Sequence, residues 1–313
     1  TIQISSNLGH AADAILTNSF AIVRLDDDTR NTLLSAWQSA RLFFDAVASS
    51  PEKSISKYRR IVGGHLLGLN NPSDAKVLYR AICTDWGQQF QPWPDGDHDI
   101  FDLRKNSIEL AERLHMILVE CLKEIRTKLS DENIQQQPMK KRPRLSYKRE
   151  QLDRCSSQAL YEIGDPKKSN EIMKVPETLQ EGYICPLDYF LYHGDRSRTN
   201  CSDHVDRGVL ICVSLTDVPG LECALRTNIK RNDDGSPFFI CPEIISSNEN
   251  LFQDRQPCNG LICIMAGDQL KEACSSLGLN CKNDSRLDAC VHRVRKELKR
   301  ARLSITYELR GKV

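Results

Sequence analysis

The spacing of hydrophobic residues changes from a helical to an extended period along the chain. Two stretches, 29–47 and 107–125, carry apolar residues at helical intervals and predict amphipathic helices. The apolar run 19–25 predicts a short strand, and the Gly-, Asn- and Pro-containing stretch 61–76 predicts a loop. Residues 1–127 are therefore predicted to form an α-rich N-terminal region with one strand that joins a larger structure.

From about residue 180 onward, short apolar or alternating runs alternate with Gly, Pro, Asn and Asp, which predicts strands and turns. A single helix-like piece, 268–278, interrupts them. Many short strands with little helix are typical of a β-sandwich or jelly roll, so the predicted fold class is mixed α+β. The predicted strands are 187–193, 208–215, 237–244, 260–267 and 301–309.

Residues 128–150 differ from both halves, because they are polar, lack an apolar period and hold seven basic against three acidic residues. We interpret them as a solvated linker or insertion between the N-terminal region, 1–127, and a C-terminal domain, 151–313. The run from Lys140 to Arg144 matches a short nuclear import signal, and a solvated charge patch is the alternative.

Composition narrows the possible roles. The 313 residues have 43 Lys+Arg against 42 Asp+Glu, a net charge of +1, so no overall basic field favours nucleic acid as a partner. No apolar run reaches the roughly 18–20 residues of a membrane span, so no membrane partner is expected.

Thirteen cysteines, an odd number at loose spacings, predict reduced buried thiols rather than disulfides or zinc knuckles. We predict a cytoplasmic protein, with nuclear entry as the alternative.

Candidate chemistry lies in the β-rich half. In an extended chain residues i and i+2 point to the same face, so His204 and Asp206 project together. His292, 88 residues after His204, provides a second imidazole beside a predicted strand. Two His and one carboxylate form the facial triad of non-haem Fe(II) oxygenases. Each residue alone would more often be a hydrogen-bonded histidine or a turn-forming aspartate.

The last predicted strand, 301–309, alternates strictly between apolar and polar residues. One interpretation is an edge strand with a solvated outer face. The other places Arg302 and Ser304 inside a barrel, where a buried guanidinium needs an anionic partner. An arginine fork beside a hydroxyl suits a carboxylate, such as the distal carboxylate of 2-oxoglutarate.

These motifs occur in a familiar order, and the chain resembles the 2-oxoglutarate/Fe(II)-dependent dioxygenases of the isopenicillin N synthase-like branch, abundant in plants. The resemblance covers most of the chain and leaves 128–150 and roughly 226–257 unmatched. It extends to the sequence around the motifs: HVDRGVLICVSLTDVPGLEC begins at His204, NGLICIMAGD ends in Gly-Asp, CVHRV contains His292, and ARLSITYELR contains Arg302 and Ser304.

The resemblance implies a double-stranded β-helix (jelly-roll) core under an α-rich N-terminal cap. It further implies that His204, Asp206 and His292 bind Fe(II), that 2-oxoglutarate is the cosubstrate, that dioxygen is consumed and that ascorbate supports turnover. Arg302 and Ser304 would hold the 5-carboxylate of 2-oxoglutarate. The family's cosubstrate-binding tyrosine has no clean match; Tyr192 is the candidate, Tyr189 its rival on the opposite strand phase, and an aromatic core strand the alternative.

The expected activity is oxidation, most commonly hydroxylation, of a small organic metabolite with release of succinate and CO2. Two alternatives stay open at this point. One is a nuclear oxygenase acting on protein or nucleic acid, which uses the basic run from Lys140 to Arg144. The other is a non-catalytic jelly-roll interaction module. Substrate specificity is expected to reside in the helical cap, the insertion 226–257 and the strand residues around Tyr189 and Tyr192.

Overall fold

A computed structural model describes residues 4–73, 75–94, 102–135, 173–181, 184–194, 200–226, 238–247, 260–275, 281, 283–295, 298 and 300–311. The basic run from Lys140 to Arg144 and most of the predicted linker lie outside the described residues. So do residues 227–237 and 248–257 of the insertion.

Helices concentrate in the N-terminal part of the chain. They are α1 (Leu8–Asn18), α2 (Asp27–Ala48), α3 (Pro51–Tyr58), α4 (Asp85–Phe90), α5 (Leu103–Gln135), α6 (Pro242–Ser247) and α7 (Leu270–Ser275). The strands are β1 (Ile4–Ser5), β2 (Phe20–Arg24), β3 (Arg59–Val62), β4 (His65–Ser73), β5 (Lys76–Ile82), β6 (Pro186–Tyr192), β7 (Cys201–His204), β8 (Leu210–Ser214), β9 (Leu221–Ala224), β10 (Phe239–Ile240), β11 (Leu261–Ala266), β12 (His292–Val294) and β13 (Arg302–Leu309).

Two sheets face each other. The large sheet has the order β1-β2-β11-β8-β13-β6-β5-β4-β3, and the small sheet has the order β10-β9-β12-β7. Among the described strands every pairing is antiparallel except that of β1 with β2. This arrangement confirms the predicted mixed α+β fold with a jelly-roll core and N-terminal helices.

The helices α1, α2 and α5 cover the outer face of the large sheet. Alternate residues of β13 explain the packing: Leu303 and Ile305 belong to one hydrophobic cluster with Phe43 of α2 and Leu118 of α5. The opposite residues of β13 point between the two sheets. Helix α2 begins where Asp26 caps it, because the carboxylate accepts a hydrogen bond from the backbone N–H of Thr29 at 2.8 Å.

The prediction of a loop at 61–76 was wrong. This stretch forms the end of β3, a tight turn and all of β4, because Gly63 and Gly64 adopt positive φ angles of 55° and 78° and close a hairpin. Strands β1 to β5 all join the large sheet, so the N-terminal region contributes more than the single strand predicted. Helix α5 also continues to Gln135, past residue 127. The division into 1–127, 128–150 and 151–313 is otherwise untested and stays a prediction.

Among the described residues 238–244 of the predicted strand 237–244, Phe239–Ile240 alone are extended, and helix α6 begins at Pro242, after Cys241. Proline is favoured in the first turn of a helix, which explains why the chain changes conformation there. The other predicted strands and helices lie where the periodicity placed them. The described cysteines are all buried and free of disulfides, as predicted. None of the described helices is long and apolar enough to span a bilayer.

His115 of α5 ties the helical layer to the sheet. Its side chain is fully buried, with Nδ1 2.8 Å from the Tyr307 hydroxyl and Nε2 3.1 Å from the Pro176 carbonyl oxygen. A buried carbonyl can only accept, so Nε2 carries the proton and Nδ1 accepts from the tyrosine hydroxyl. This histidine therefore has a structural role.

We expect His115→Leu to lower the free energy of unfolding by about 2 kcal/mol, because Pro176 loses its buried donor and Tyr307 its acceptor. Urea denaturation followed by circular dichroism measures the change. The control is His10→Leu on the exposed side of α1, expected within about 0.5 kcal/mol of the wild type. Equal losses in the two variants would contradict the assigned role.

Candidate metal centre

Strands β7 and β12 of the small sheet position the two candidate histidines. The strands pair antiparallel with His204 directly opposite His292, and the imidazole centroids lie 4.2 Å apart. His204 is the last residue of β7, so Asp206 lies in the connection to β8 and not on a shared strand as the sequence suggested. The three side chains still converge, because this connection turns back between the two sheets.

The three side chains form one compact group, which we term the metal group. Nε2 of His204 lies 3.6 Å from Oδ1 of Asp206, and Nε2 of His292 lies 3.3 Å from Oδ2. All three ligand atoms fall within 4.8 Å of one another, and this is the one such group of His, Cys, Asp or Glu among the described residues. The predicted triad residues are therefore brought together.

Backbone carbonyls fix the protonation of Nδ1 in both imidazoles. Nδ1 of His204 lies 2.8 Å from the carbonyl oxygen of Ser202, and Nδ1 of His292 lies 3.2 Å from that of Cys290. Because a carbonyl only accepts, each Nδ1 carries a hydrogen and each Nε2 faces Asp206, where it can donate a proton to the carboxylate or, once deprotonated, bind a metal. The neutral form with its hydrogen on Nδ1 is the tautomer that binds a metal through Nε2.

Asp206 is held as a carboxylate. Burial acts to raise its pKa, but the charge and hydrogen bond of His292 and the charge of His204 outweigh it and keep that pKa well below the ordinary value for aspartate. A negative, acceptor-only group beside two imidazole Nε2 atoms provides three ligands for a divalent cation.

A glycine fixes the backbone that carries Asp206. A Cβ atom on Gly267, directly after β11, would lie 1.8 Å from the carbonyl oxygen of Gly208. The next two residues form backbone hydrogen bonds with the same loop. The Asp268 N–H donates to the Asp206 carbonyl at 2.9 Å, and the Gln269 N–H donates to the Gly208 carbonyl at 3.2 Å. The Gly-Asp pair noted in the sequence therefore holds the carboxylate loop against the large sheet.

Arg302, Ser304 and Tyr192, the predicted anion-binding residues, all lie between the sheets. Strand β13 is central, between β8 and β6, and all eight of its residues are buried, so the edge-strand interpretation was wrong. Arg302 pairs with Tyr192 across the sheet, and its Cζ lies 5.9 Å from the centre of the tyrosine ring. Tyr192 packs in one cluster with Cys201, whose Sγ is 3.6 Å from Nδ1 of His204.

The rival tyrosine faces the other way. Tyr189 is fully buried under the helices, where its hydroxyl lies 2.7 Å from the hydroxyl of Ser107 on α5. Tyr192 shares the inner face with Phe190, and their rings stack at 5.9 Å. Of the two candidates, only Tyr192 is on the same side of the sheet as Arg302.

Arg302 already has an anionic partner within the chain. Its Nη2 donates to Oε1 of Glu243 at 2.8 Å, and its Nε donates to the Val218 carbonyl at 3.2 Å. The side chains are 1% and 0% exposed, so the ion pair is shielded from solvent. Sequence reasoning missed Glu243, because the apolar residues around it suggested an ordinary strand.

The residues present fit iron well. Two imidazole Nε2 atoms and one carboxylate on one side of an ion match the ligand set of non-haem Fe(II) sites. The fit to 2-oxoglutarate is incomplete in this conformation: Arg302 supplies the buried cation and Ser304 a neighbouring hydroxyl, but Glu243 takes the place of an external carboxylate at Nη2.

The fold is shared with solved oxygenase structures. A full-length Neurospora crassa protein in complex with 2-oxoglutarate and 5-formyluracil aligns with a TM-score of 0.59 and 16% identity over 97% of this chain and 78% of that chain. The dioxygenase for auxin oxidation in rice aligns at 0.56 and 14%, over 99% and 83%. JOX2, solved with 2-oxoglutarate, Fe and JA, aligns at 0.56 and 15%, over 99% and 75%.

No protein-family model matches the sequence, and no curated protein matches it significantly. The likeness is therefore structural, and at these identities it establishes the jelly-roll fold.

We expect Asp206→Ala to weaken Fe(II) binding at least about 100-fold, since loss of an outer partner alone costs about 10–100-fold. Anaerobic equilibrium dialysis with Fe(II) measures the affinity. The control is His193→Ala, which removes an exposed imidazole on the strand end next to the site and should leave iron affinity unchanged. Wild-type affinity in Asp206→Ala would place the ion elsewhere.

Gly267→Ala tests whether the close packing of Gly267 against Gly208 positions Asp206, and it changes no candidate metal ligand. The added methyl group must push the Gly208 carbonyl away and displace the Asp206 loop, so we expect iron affinity to fall about 10–100-fold. Gly9→Ala is the matched control, because its Cβ would meet neighbours only at an ordinary 3.5 Å. If both variants keep wild-type affinity and circular dichroism spectra, the close approach does not position Asp206.

Proposed function

We propose that this protein is a 2-oxoglutarate- and Fe(II)-dependent dioxygenase that oxidises, most commonly by hydroxylation, a small organic molecule. The observation that carries the proposal is the metal group: two imidazoles with Nδ1 protonated and one ionised carboxylate inside a jelly roll. A finer part of the proposal is that the chain belongs to the isopenicillin N synthase-like branch, which rests on the sequence motifs.

In this proposal one set of residues binds Fe(II) and another set binds the cosubstrate. His204, His292 and Asp206 would hold Fe(II) through two imidazole Nε2 atoms and a carboxylate oxygen. Bound Fe(II) and 2-oxoglutarate supply the activation of dioxygen, with succinate and CO2 as coproducts. Arg302 and Ser304 would orient the cosubstrate through its 5-carboxylate, beside the ring of Tyr192.

Next to the metal group lies a buried apolar cluster to which both sheets contribute, with Ile211 and Met265 from the large sheet and Leu221 and Cys223 from the small one. Cys223 pairs directly with His292, so the cluster borders the candidate iron ligands. An apolar border of this kind would limit the access of water from that side.

A small-molecule substrate is the class that the similar structures support. The Neurospora crassa protein was solved with thymine and with 5-formyluracil, the rice enzyme is a dioxygenase for auxin oxidation, and JOX2 was solved with JA. A net charge of +1 gives no general attraction for nucleic acid. Cytoplasmic location, and the alternative of nuclear import through Lys140 to Arg144 with a protein or nucleic acid substrate, stay predictions. The distribution of the tagged chain between the two compartments tests them.

We expect the wild type to release succinate slowly from 2-oxoglutarate under air with Fe(II) and ascorbate, even without a prime substrate. His292→Ala should release none, because it lacks one iron ligand, whereas His193→Ala should match the wild type. Chromatographic quantification of succinate is the measurement.

Succinate release that persists in His292→Ala would remove this residue from the site. A wild type that neither forms succinate nor binds 2-oxoglutarate anaerobically would contradict the dioxygenase and favour the non-catalytic interaction module.

A further inference from the structure

The ion pair between Arg302 and Glu243 lies where an incoming dicarboxylate would need the arginine. Both oxygens of Glu243 are engaged: Oε1 accepts from Nη2 of Arg302 at 2.8 Å, and Oε2 lies 3.3 Å from Sγ of Cys241. Burial and the charge of Glu243 raise the pKa of the Cys241 thiol to about 12, so the thiol keeps its proton and donates it. A guanidinium and a neutral donor thus hold this carboxylate.

The chemistry of Glu243 is that of the distal end of 2-oxoglutarate, a carboxylate on a short aliphatic chain. Glu243 uses Nη2 of Arg302 and the Val218 carbonyl uses Nε, so a second carboxylate at this guanidinium would lie close to Glu243 and be repelled by it. The aliphatic part of Arg302 is confined as well, since a Cβ on Gly220 would lie 2.9 Å from its Cδ. Glu243 and an incoming carboxylate are therefore expected to compete for Arg302.

Glu243 belongs to a short segment that is joined to the edge of the small sheet by the two-residue strand β10. We term residues 238–247 the α6 segment; it comprises β10 and the six-residue helix α6. Helix α6 buries its glutamate and exposes the apolar residue beside it, since Glu243 is 0% and Ile244 42% exposed, and Phe238 before β10 is 45% exposed. A helix this short has little stability of its own, and its withdrawal would expose Cys241, Pro242 and the buried part of Ile245.

We propose that Glu243 is an internal competitor for the distal carboxylate of 2-oxoglutarate, so that cosubstrate binding requires the α6 segment to withdraw from Arg302. This step rests on the proposed function. Because binding couplings are reciprocal, the docked segment weakens cosubstrate binding and the cosubstrate in turn releases the segment. The α6 segment should weaken the binding of dicarboxylates only, since a 2-oxo acid without a distal carboxylate does not bind Arg302.

The experiment is anaerobic calorimetric titration of the Fe(II)-loaded full chain with two probes, 2-oxoglutarate and 2-oxobutyrate. In Glu243→Gln the competitor is neutral, so we expect 2-oxoglutarate to bind about tenfold tighter than to the wild type, within the usual range of coupling between sites. The affinity for 2-oxobutyrate should not change. The control Glu222→Gln removes a carboxylate of the small sheet that pairs with Arg293 and Arg295, and it should bind both probes like the wild type.

The outcomes separate this inference from the proposed function. Equal or weaker 2-oxoglutarate binding in Glu243→Gln, with clear binding to the wild type, overturns the competition and leaves the dioxygenase standing. A gain for both probes alike also overturns it, since the effect would not involve the distal carboxylate. If neither protein binds either 2-oxo acid, the proposed function fails, and this inference fails with it.

A second measurement needs no variant and no turnover. Hydrogen exchange of the Fe(II)-loaded wild type, compared with and without 2-oxoglutarate, should show faster exchange in peptides covering 238–247 when the dicarboxylate is bound. 2-Oxobutyrate should leave them unchanged. Unchanged or slower exchange with 2-oxoglutarate overturns the withdrawal of the α6 segment, even if Glu243→Gln does not fold.

Discussion

The pairing of β7 with β12 is the interaction on which the candidate site depends. It places His204 directly opposite His292, although 88 residues separate them in the chain. Strand β12 is held on its other side by β9, so its register does not depend on the metal group. The entropic cost of closing a loop grows slowly with its length, so the insertion between the two histidines leaves the pairing intact.

The interior of this jelly roll contains charged side chains, and pairing makes their burial possible. Arg302 pairs with Glu243, and Arg80 pairs with Asp188 on the neighbouring strand through a 2.7 Å bond to Nε. A buried charge without a partner costs several kcal/mol, so an arginine here must exchange one anion for another rather than stand alone. A site that binds a carboxylate from outside therefore needs a carboxylate inside, or water, when that ligand is absent.

Predictions from the sequence were most accurate where they depended only on residues adjacent in the chain. Alternation along 301–309 correctly separated the two faces of β13, because side-chain direction in a strand follows directly from residue parity. The Gly and Asn residues at 61–76 led to the wrong prediction of a loop, because glycines with positive φ occur in tight hairpin turns as well as in loops. The aromatic alternatives, Tyr189 and Tyr192, differed only in strand phase, and the sheet register places Tyr192, not Tyr189, on the side of Arg302.

By itself the sequence determined the residue types of the metal group, their order and the polar face of β13, because chemistry and strand parity are properties of short segments. Only the tertiary structure decided that Asp206 reaches the histidines from a loop, that Gly267 holds this loop, and that Glu243 faces Arg302. These contacts join segments distant in sequence across the space between two sheets. No local pattern encodes such a contact, since it depends on how the sheets pack.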